Sequence, residues 1–238
     1  GPCANITVKD CNIETQDSGL KIGTETTRDI HDITFIRCVV RRSGRAACIQ
    51  LRDEGNIYGI TFQDIQFKAQ YFADPWWGKG EALSFTCIPR TVRTKVGQLR
   101  DIRVSGLTGY AENSVRVEGV ADQPVKSVLL DGVSVEMGRW TKYRGGMFDD
   151  RPTSARTPIE AHATPGFFLR YVDGIILRDC RVTWGLHPPA YFTSAVEAEA
   201  VKGLQLQNFT GWAAHPGRDE AIVQRDEPLQ PVRVPPEN

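Results

Sequence analysis

Apolar and polar residues alternate with a period of two in Ile6-Thr-Val-Lys-Asp-Cys-Asn-Ile13, and versions of this stretch return six more times. In register they are Ile33-Thr-Phe-Ile-Arg-Cys38, Ile60-Thr-Phe-Gln-Asp-Ile65, Ile102-Arg-Val-Ser-Gly-Leu107, Val128-Leu-Leu-Asp-Gly-Val133, Ile175-Ile-Leu-Arg-Asp-Cys180 and Leu204-Gln-Leu-Gln-Asn-Phe209. Successive copies are offset by 27, 27, 42, 26, 47 and 29 residues. Apolar side chains hold the first, third and sixth positions of every copy, which is the pattern of a half-buried strand. A unit of this length, stretched only where a loop is inserted, marks a solenoid.

A second strand is predicted after each copy: Gly19–Gly23, Cys48–Arg52, Ala82–Thr86, Ser114–Glu118, Phe167–Arg170, Ala190–Thr193 and Ala221–Gln224. Two short strands and a turn per repeat, with no amphipathic helix, predict an all-β chain forming a parallel β-helix of about seven rungs over residues 1–225. One rung cannot bury its inward face alone, so rungs are stable only when stacked. Residues 226–238 form a Pro-rich tail, expected to be extended.

Composition adds limits. Lys plus Arg equals Asp plus Glu at 29 each, so no basic face for nucleic acid is expected. No apolar run reaches membrane-spanning length, and no signal-peptide pattern opens the chain, so no membrane partner is expected. The chain begins Gly1-Pro2 and not with Met, which leaves open a missing upstream segment or a processing scar. Of the six cysteines, Cys11 and Cys38 share the inward position that Ile65, Leu107 and Val133 fill later, so packing explains them without a bond. Stacked rungs lie roughly 4.8 Å apart, so a Cys11–Cys38 disulfide is also geometrically open. No Cys/His spacing suits zinc, and neither a metal nor another cofactor is expected.

Three insertions interrupt the repeat, at 68–81, 89–99 and 137–165, and their aromatic content disfavours disorder. Trp76 and Trp77 in the first offer flat faces for stacking on a sugar ring, and packing against the flank explains at least one of them equally well. Outward side chains of the second strand set, Lys21, Gln50, Arg52, Ser84, Arg116 and Glu118, are expected to stack into a polar column. Such a column suits an acidic glycan, and it also suits an ordinary solvated face. His31, His162, His187 and His215 show no partner spacing and are read as turn or surface residues.

The runs Pro2-Cys-Ala-Asn-Ile-Thr-Val8, Ser18-Gly-Leu-Lys-Ile-Gly-Thr-Glu25, Asp32-Ile-Thr-Phe-Ile-Arg-Cys38 and Pro165-Gly-Phe-Phe-Leu-Arg-Tyr-Val-Asp-Gly-Ile175 resemble the later rungs of polygalacturonase-like glycoside hydrolases, family 28. The resemblance implies a right-handed parallel β-helix, inverting hydrolysis of pectin-type polysaccharide, and a secreted or periplasmic location. Inversion requires a general acid and a base on opposite faces of the scissile bond. The family's Asn-Thr-Asp motif and Asp-Asp pair have no counterpart, and would fall on rungs upstream of Gly1. Asp17-Ser18-Gly19 stands where the family has Gly-His-Gly, and Gln50-Leu51-Arg52 where it has Arg-x-Lys.

Substitute acids are therefore sought among Asp17, Glu25, Glu54, Glu81 and Glu118, with Asp17, Glu81 and Glu118 as candidate catalytic groups and solvated rim charges as the competing reading. Lys21, Gln50, Arg52, Trp76, Trp77 and Arg116 are the candidate substrate-binding residues. Asp149-Asp150 is read as turn chemistry. Two functional classes stand: a polygalacturonase-like hydrolase, and a carbohydrate-binding or self-assembling β-helix without turnover. An uncapped N-terminal rung predicts a homo-oligomer through that end.

Overall fold

The computed structural model describes residues 1–228, so the expected tail lies outside the described residues from 229 onward. The 17 strands of the described residues form two sheets: a curled sheet of 15, and a hairpin of two, Met147–Asp149 and Ile159–Ala161. No helix occurs among the described residues, and so none is long and apolar enough to cross a membrane.

The large sheet is built from parallel ladders. In the first ladder, the strands Cys3–Lys9 and Ile30–Ile36 pair with the leading halves of Ile57–Ala69, Leu99–Ala111 and Val125–Met137, and then with the trailing halves of Phe167–Arg178 and Val196–Gln207. Every repeat offset is realised as a register step: Ile6 pairs with Ile33, Ile33 with Ile60, Ile60 with Ile102, Ile102 with Val128, Val128 with Ile175, and Ile175 with Leu204. Side chains alternate across a strand, so this register puts the apolar positions on one face. That face is the core, where Phe62 stacks between Phe35 at 4.9 Å and Phe85 at 5.3 Å.

A second ladder runs through Asn12–Glu14, Val39–Ser43, the trailing halves of the three 13-residue strands and Arg181–Trp184. The third contains Ser18–Thr24, Arg45–Leu51, Glu81–Cys87, Asn113–Glu118, the leading halves of Phe167–Arg178 and Val196–Gln207, and Ile222–Arg225. The repeat thus carries three strands where two were expected. The extra one lies inside the stretch read as a single strand, where the apolar spacing lengthens from two residues to three, as from Val8 to Cys11 and from Phe62 to Ile65.

What separates the first and second ladders is a backbone corner. The residue before each copy (Asn5, Asp32, Gly59, Asp101, Ser127, Gly174, Gly203) and the fifth residue within it (Asp10, Arg37, Asp64, Gly106, Gly132, Asp179, Asn208) all have φ between 51° and 79°. Asn, Asp and Gly adopt the left-handed region most readily, which explains their recurrence at these places.

One strand differs from expectation. Residues 190–193 form a loop whose Phe192 is buried against Trp184 at 5.4 Å, and the third-ladder strand begins at Val196. Phe192 supplies a strand-like apolar signal because it plugs the core from a loop. All six cysteines are free thiols, with Cys38, Cys48, Cys87 and Cys180 buried.

Candidate functional site

The outward face of the third ladder carries two polar columns where one was expected. Lys21, Cys48, Ser84, Arg116, Phe168 and Glu197 are linked in register, and two residues further along each strand so are Gly23, Gln50, Thr86, Glu118, Arg170, Glu199 and Arg225. This face is not an open wall. Arg116 and Glu118 are fully buried, and Gln50 is 1% exposed, beneath the insertion that contains the small hairpin.

Burial of so many charged groups is tolerated because they pair. Arg116 lies 2.8 Å from Asp150 of the insertion, donates to Glu118 through Nε at 2.9 Å and stacks over Phe148 at 4.3 Å. Arg156 reaches back to Glu118 at 2.7 Å and to Asp150 at 2.6 Å. Arg170 meets Glu199 at 2.8 Å and Glu118 at 3.4 Å. Burial opposes ionisation of Glu118, but Arg116, Arg156 and Arg170 outweigh it and hold the carboxyl far below the usual range. Asp149 and Asp150, expected to be turn residues, are buried and paired. Asp149 accepts from the Gly78 amide at 3.0 Å and from Arg151. Burial pushes its carboxyl up, and Arg151, Arg45 and that amide together bring it below its ordinary value.

The remaining catalytic candidates are also committed. Asp17 is half-buried and accepts from the amide and hydroxyl of Ser18 at 2.7 and 3.0 Å, a local turn. Glu81 is fully buried, accepts from the Lys79 amide at 2.7 Å, and lies 3.7 Å from Arg45. Burial raises its pKa, which Arg45 offsets only in part. Glu25 and Glu54 are exposed, as rim charges are.

Of the binding candidates, Arg52 and Gln50 have become struts for the insertion. Arg52 donates to the carbonyls of Leu51 and Asp150 and to the Thr86 hydroxyl, and burial lowers its pKa to about 10. Gln50 Nε2 donates to the Arg151 carbonyl at 3.0 Å. Lys21, Trp76 and Trp77 stay accessible. Trp76 is 45% exposed, while Trp77 is half-buried with Lys21 Nζ 5.0 Å from its ring centre.

Trp77 also lines a cleft of about 390 Å³ with Arg90, Arg151, Pro152, Thr153, Ser154 and Pro158. Arg90 and Arg151 were not among the candidate substrate-binding residues. Arg90 is anchored by Asp53 at 2.6 Å and Arg151 by Asp149 at 2.6 Å. Their carboxylate partners sit 37 and 2 residues away, and only the first separation resembles a repeat offset. Among the described residues, one group has the makings of a metal site: His162, Glu197 and Glu199. His162 is packed against Phe148 at 5.0 Å and Phe168 at 4.6 Å, which the reading of it as a turn or surface residue did not foresee.

Compared with family models, with curated proteins and with solved structures, the chain matches none.

Proposed function

We propose that the three ladders are the faces of a right-handed parallel β-helix of about seven coils, and that its third face binds an acidic, pectin-type polysaccharide at the cleft beside Trp77. Right-handed crossovers are the strong preference for parallel strands, and the unbroken register from each copy to the next supports continuous coiling. The observation that carries the binding reading is an aromatic face and cationic groups meeting in one cleft. The Trp77 ring suits the apolar face of a pyranose. Lys21, with Nζ over that ring at 5.0 Å from its centre, makes no ion pair among the described residues, so its charge remains available to a uronate carboxylate.

Turnover by these residues is the less favoured reading. An inverting pair needs two carboxyl groups with room for water between them, typically about 6.5–9.5 Å apart. Glu81 and Glu118 are fully buried, and Arg45, Arg116 and Arg156 occupy their surroundings. The proposal is a polygalacturonase-like scaffold that holds its glycan without cleaving it.

Titration with oligogalacturonates by calorimetry tests this. Trp77→Ala is expected to weaken binding about tenfold, equivalent to ~1.4 kcal/mol. Lys21→Gln should weaken binding of the free acid and leave the methyl ester unaffected. Absence of binding by the unaltered chain, or release of reducing ends from polygalacturonate, would overturn the reading.

A further inference from the structure

Glu197 and Glu199 alternate on the strand Val196–Gln207, so both project from the outward face of the third ladder, in register with Phe168 and Arg170. His162 arrives from the insertion, one residue past the strand Ile159–Ala161. A ring nitrogen of His162 and one carboxylate oxygen from each glutamate lie within 4.8 Å of one another. We propose that these three side chains form a site for a divalent transition-metal ion of the zinc or manganese class, with an open coordination position.

The donor chemistry supports it first. His162 Nδ1 lies against the carbonyl oxygen of Ala163, which only accepts, so the proton sits on Nδ1 and the lone pair on Nε2. A hydrogen bond of this kind, from one imidazole nitrogen to a backbone carbonyl, orients a metal-ligating histidine and fixes its tautomer. An imidazole lone pair and two ionised carboxylates are all acceptors. Bringing them together out of bulk water calls for a cation, or a proton, between them.

The surroundings act as an outer shell. Arg170 Nε takes Glu199 Oε2 at 2.8 Å and orients it, whereas Arg225 Nη1 lies 2.6 Å from Glu197 Oε1 and 3.8 Å from Glu199 Oε1, a cation that competes with a metal ion for both carboxylates. Glu160 adds a third carboxylate, 3.4 Å from Arg170. Three carboxylates against two guanidinium groups leave one net negative charge beside the imidazole, favourable for a divalent ion. The site borders solvent on one side, where His162 is half-buried and the Arg225 side chain is 33% exposed, while Glu197 and Glu199 themselves are buried.

One nitrogen and two oxygens suit zinc or manganese better than calcium or magnesium, which prefer all-oxygen shells. Ligand bonds of about 2.0–2.2 Å require the three atoms to draw in by roughly 1 Å, within reach of side-chain rotation. The sequence hid the site because the histidine and the glutamates are separated by an insertion and a full repeat, with no short-range spacing to read.

The test is direct. The full chain is stripped with a chelator, equilibrated with Zn²⁺ or Mn²⁺, and assayed for metal bound per chain, while Mn²⁺ broadening of the His162 side-chain resonances is recorded by NMR. One ion per chain is expected, with the His162 signal broadened. His162→Gln and Glu197→Gln should each weaken binding at least about tenfold. Arg225→Gln keeps every ligand and removes a competing charge, so it should tighten binding, which a purely structural role would not produce. No retained ion, equal retention by His162→Gln and Glu197→Gln, or an unbroadened His162 signal would each overturn the proposal. If a variant fails to fold, the broadening on the unaltered chain decides alone.

Discussion

Arg116 holds Asp150 at 2.8 Å across the boundary between the third ladder and the insertion that covers it, with both side chains fully buried. The insertion is therefore fastened by charge, and removing one partner strands another in a medium that solvates it poorly. Breaking a buried pair this way typically costs about 3–5 kcal/mol. Asp150→Ala leaves both Arg116 and Arg156 short of a carboxylate and is expected to lower the unfolding free energy by about 3 kcal/mol in urea titration. Asp150→Asn keeps an acceptor and should lose less. Equal losses for the two variants would mean that volume, not charge, holds the insertion.

Glu112 clamps two insertions at once. Its Oε2 accepts from the Tyr71 amide at 2.8 Å and the Thr141 hydroxyl at 2.7 Å, and its Oε1 accepts from the amides of Trp140 and Thr141, each at 2.7 Å. Charge-assisted bonds to a buried carboxylate are each worth about 1.5–3 kcal/mol, so their joint loss loosens both segments. Glu112→Ala should open residues 70–80 and 138–146 to limited proteolysis together, while the core resists. Cleavage in one segment alone would refute the shared clamp.

Acid should weaken the protein through the carboxylates that the folded state holds ionised. Asp53 is lowered by its hydrogen bonds from Arg90, against burial; for Asp149 burial is the largest single influence and raises it, but Arg151, Arg45 and the Gly78 amide together outweigh that and lower it. A lowered folded pKa gives stability that is present above the unfolded value of about 3.9 and is lost as pH falls through the folded value. Glu81 carries the opposite sign, since burial raises its pKa and its ionised form is disfavoured in the fold. The urea midpoint should consequently change little on going from pH 7 to about 5, then fall steeply below about 4. Asp149→Asn should flatten that acid limb, whatever it does to stability at pH 7. An acid limb of unchanged slope in this variant would remove Asp149 from the account.

How much of this was legible depended on the distance over which a residue finds its partner. The Ile60, Phe62, Ile65 triplet was readable because its partners in the next copy recur at a fixed offset, and the register follows it residue for residue. The same copy-to-copy register links Arg170 to Glu199, 29 residues on, and Arg45 to Glu81, so part of the ionic layer was also in the repeat, unread. Other contacts have no such period. Arg45 donates to the Asp149 carbonyl 104 residues away, and Gln50 to that of Arg151, 101 residues away. Nothing local marks the insertion as the cover of the third face, so Arg52, Arg116 and Glu118 were assigned to solvent when they belong to a buried layer.

Two glycines separate the requirement for space from the requirement for conformation. Gly109 pairs with Phe67 in the second ladder, and a Cβ there would lie 1.9 Å from the Phe67 carbonyl oxygen. That oxygen belongs to a paired strand and has little freedom to withdraw, so overpacking should cost Gly109→Ala about 1–3 kcal/mol. Gly132 has φ of 65°, yet a Cβ there meets nothing nearer than 3.6 Å. Asp64, Asp179 and Asn208 already take that backbone shape in the same corner column. Gly132→Asn should therefore stay within about 1 kcal/mol of the unaltered chain, because Asn tolerates the left-handed region. Urea midpoints of the two variants, measured side by side, should rank Gly132→Asn well above Gly109→Ala. The reverse ranking would mean that the corners require glycine itself and that the packing between Phe67 and Gly109 is loose.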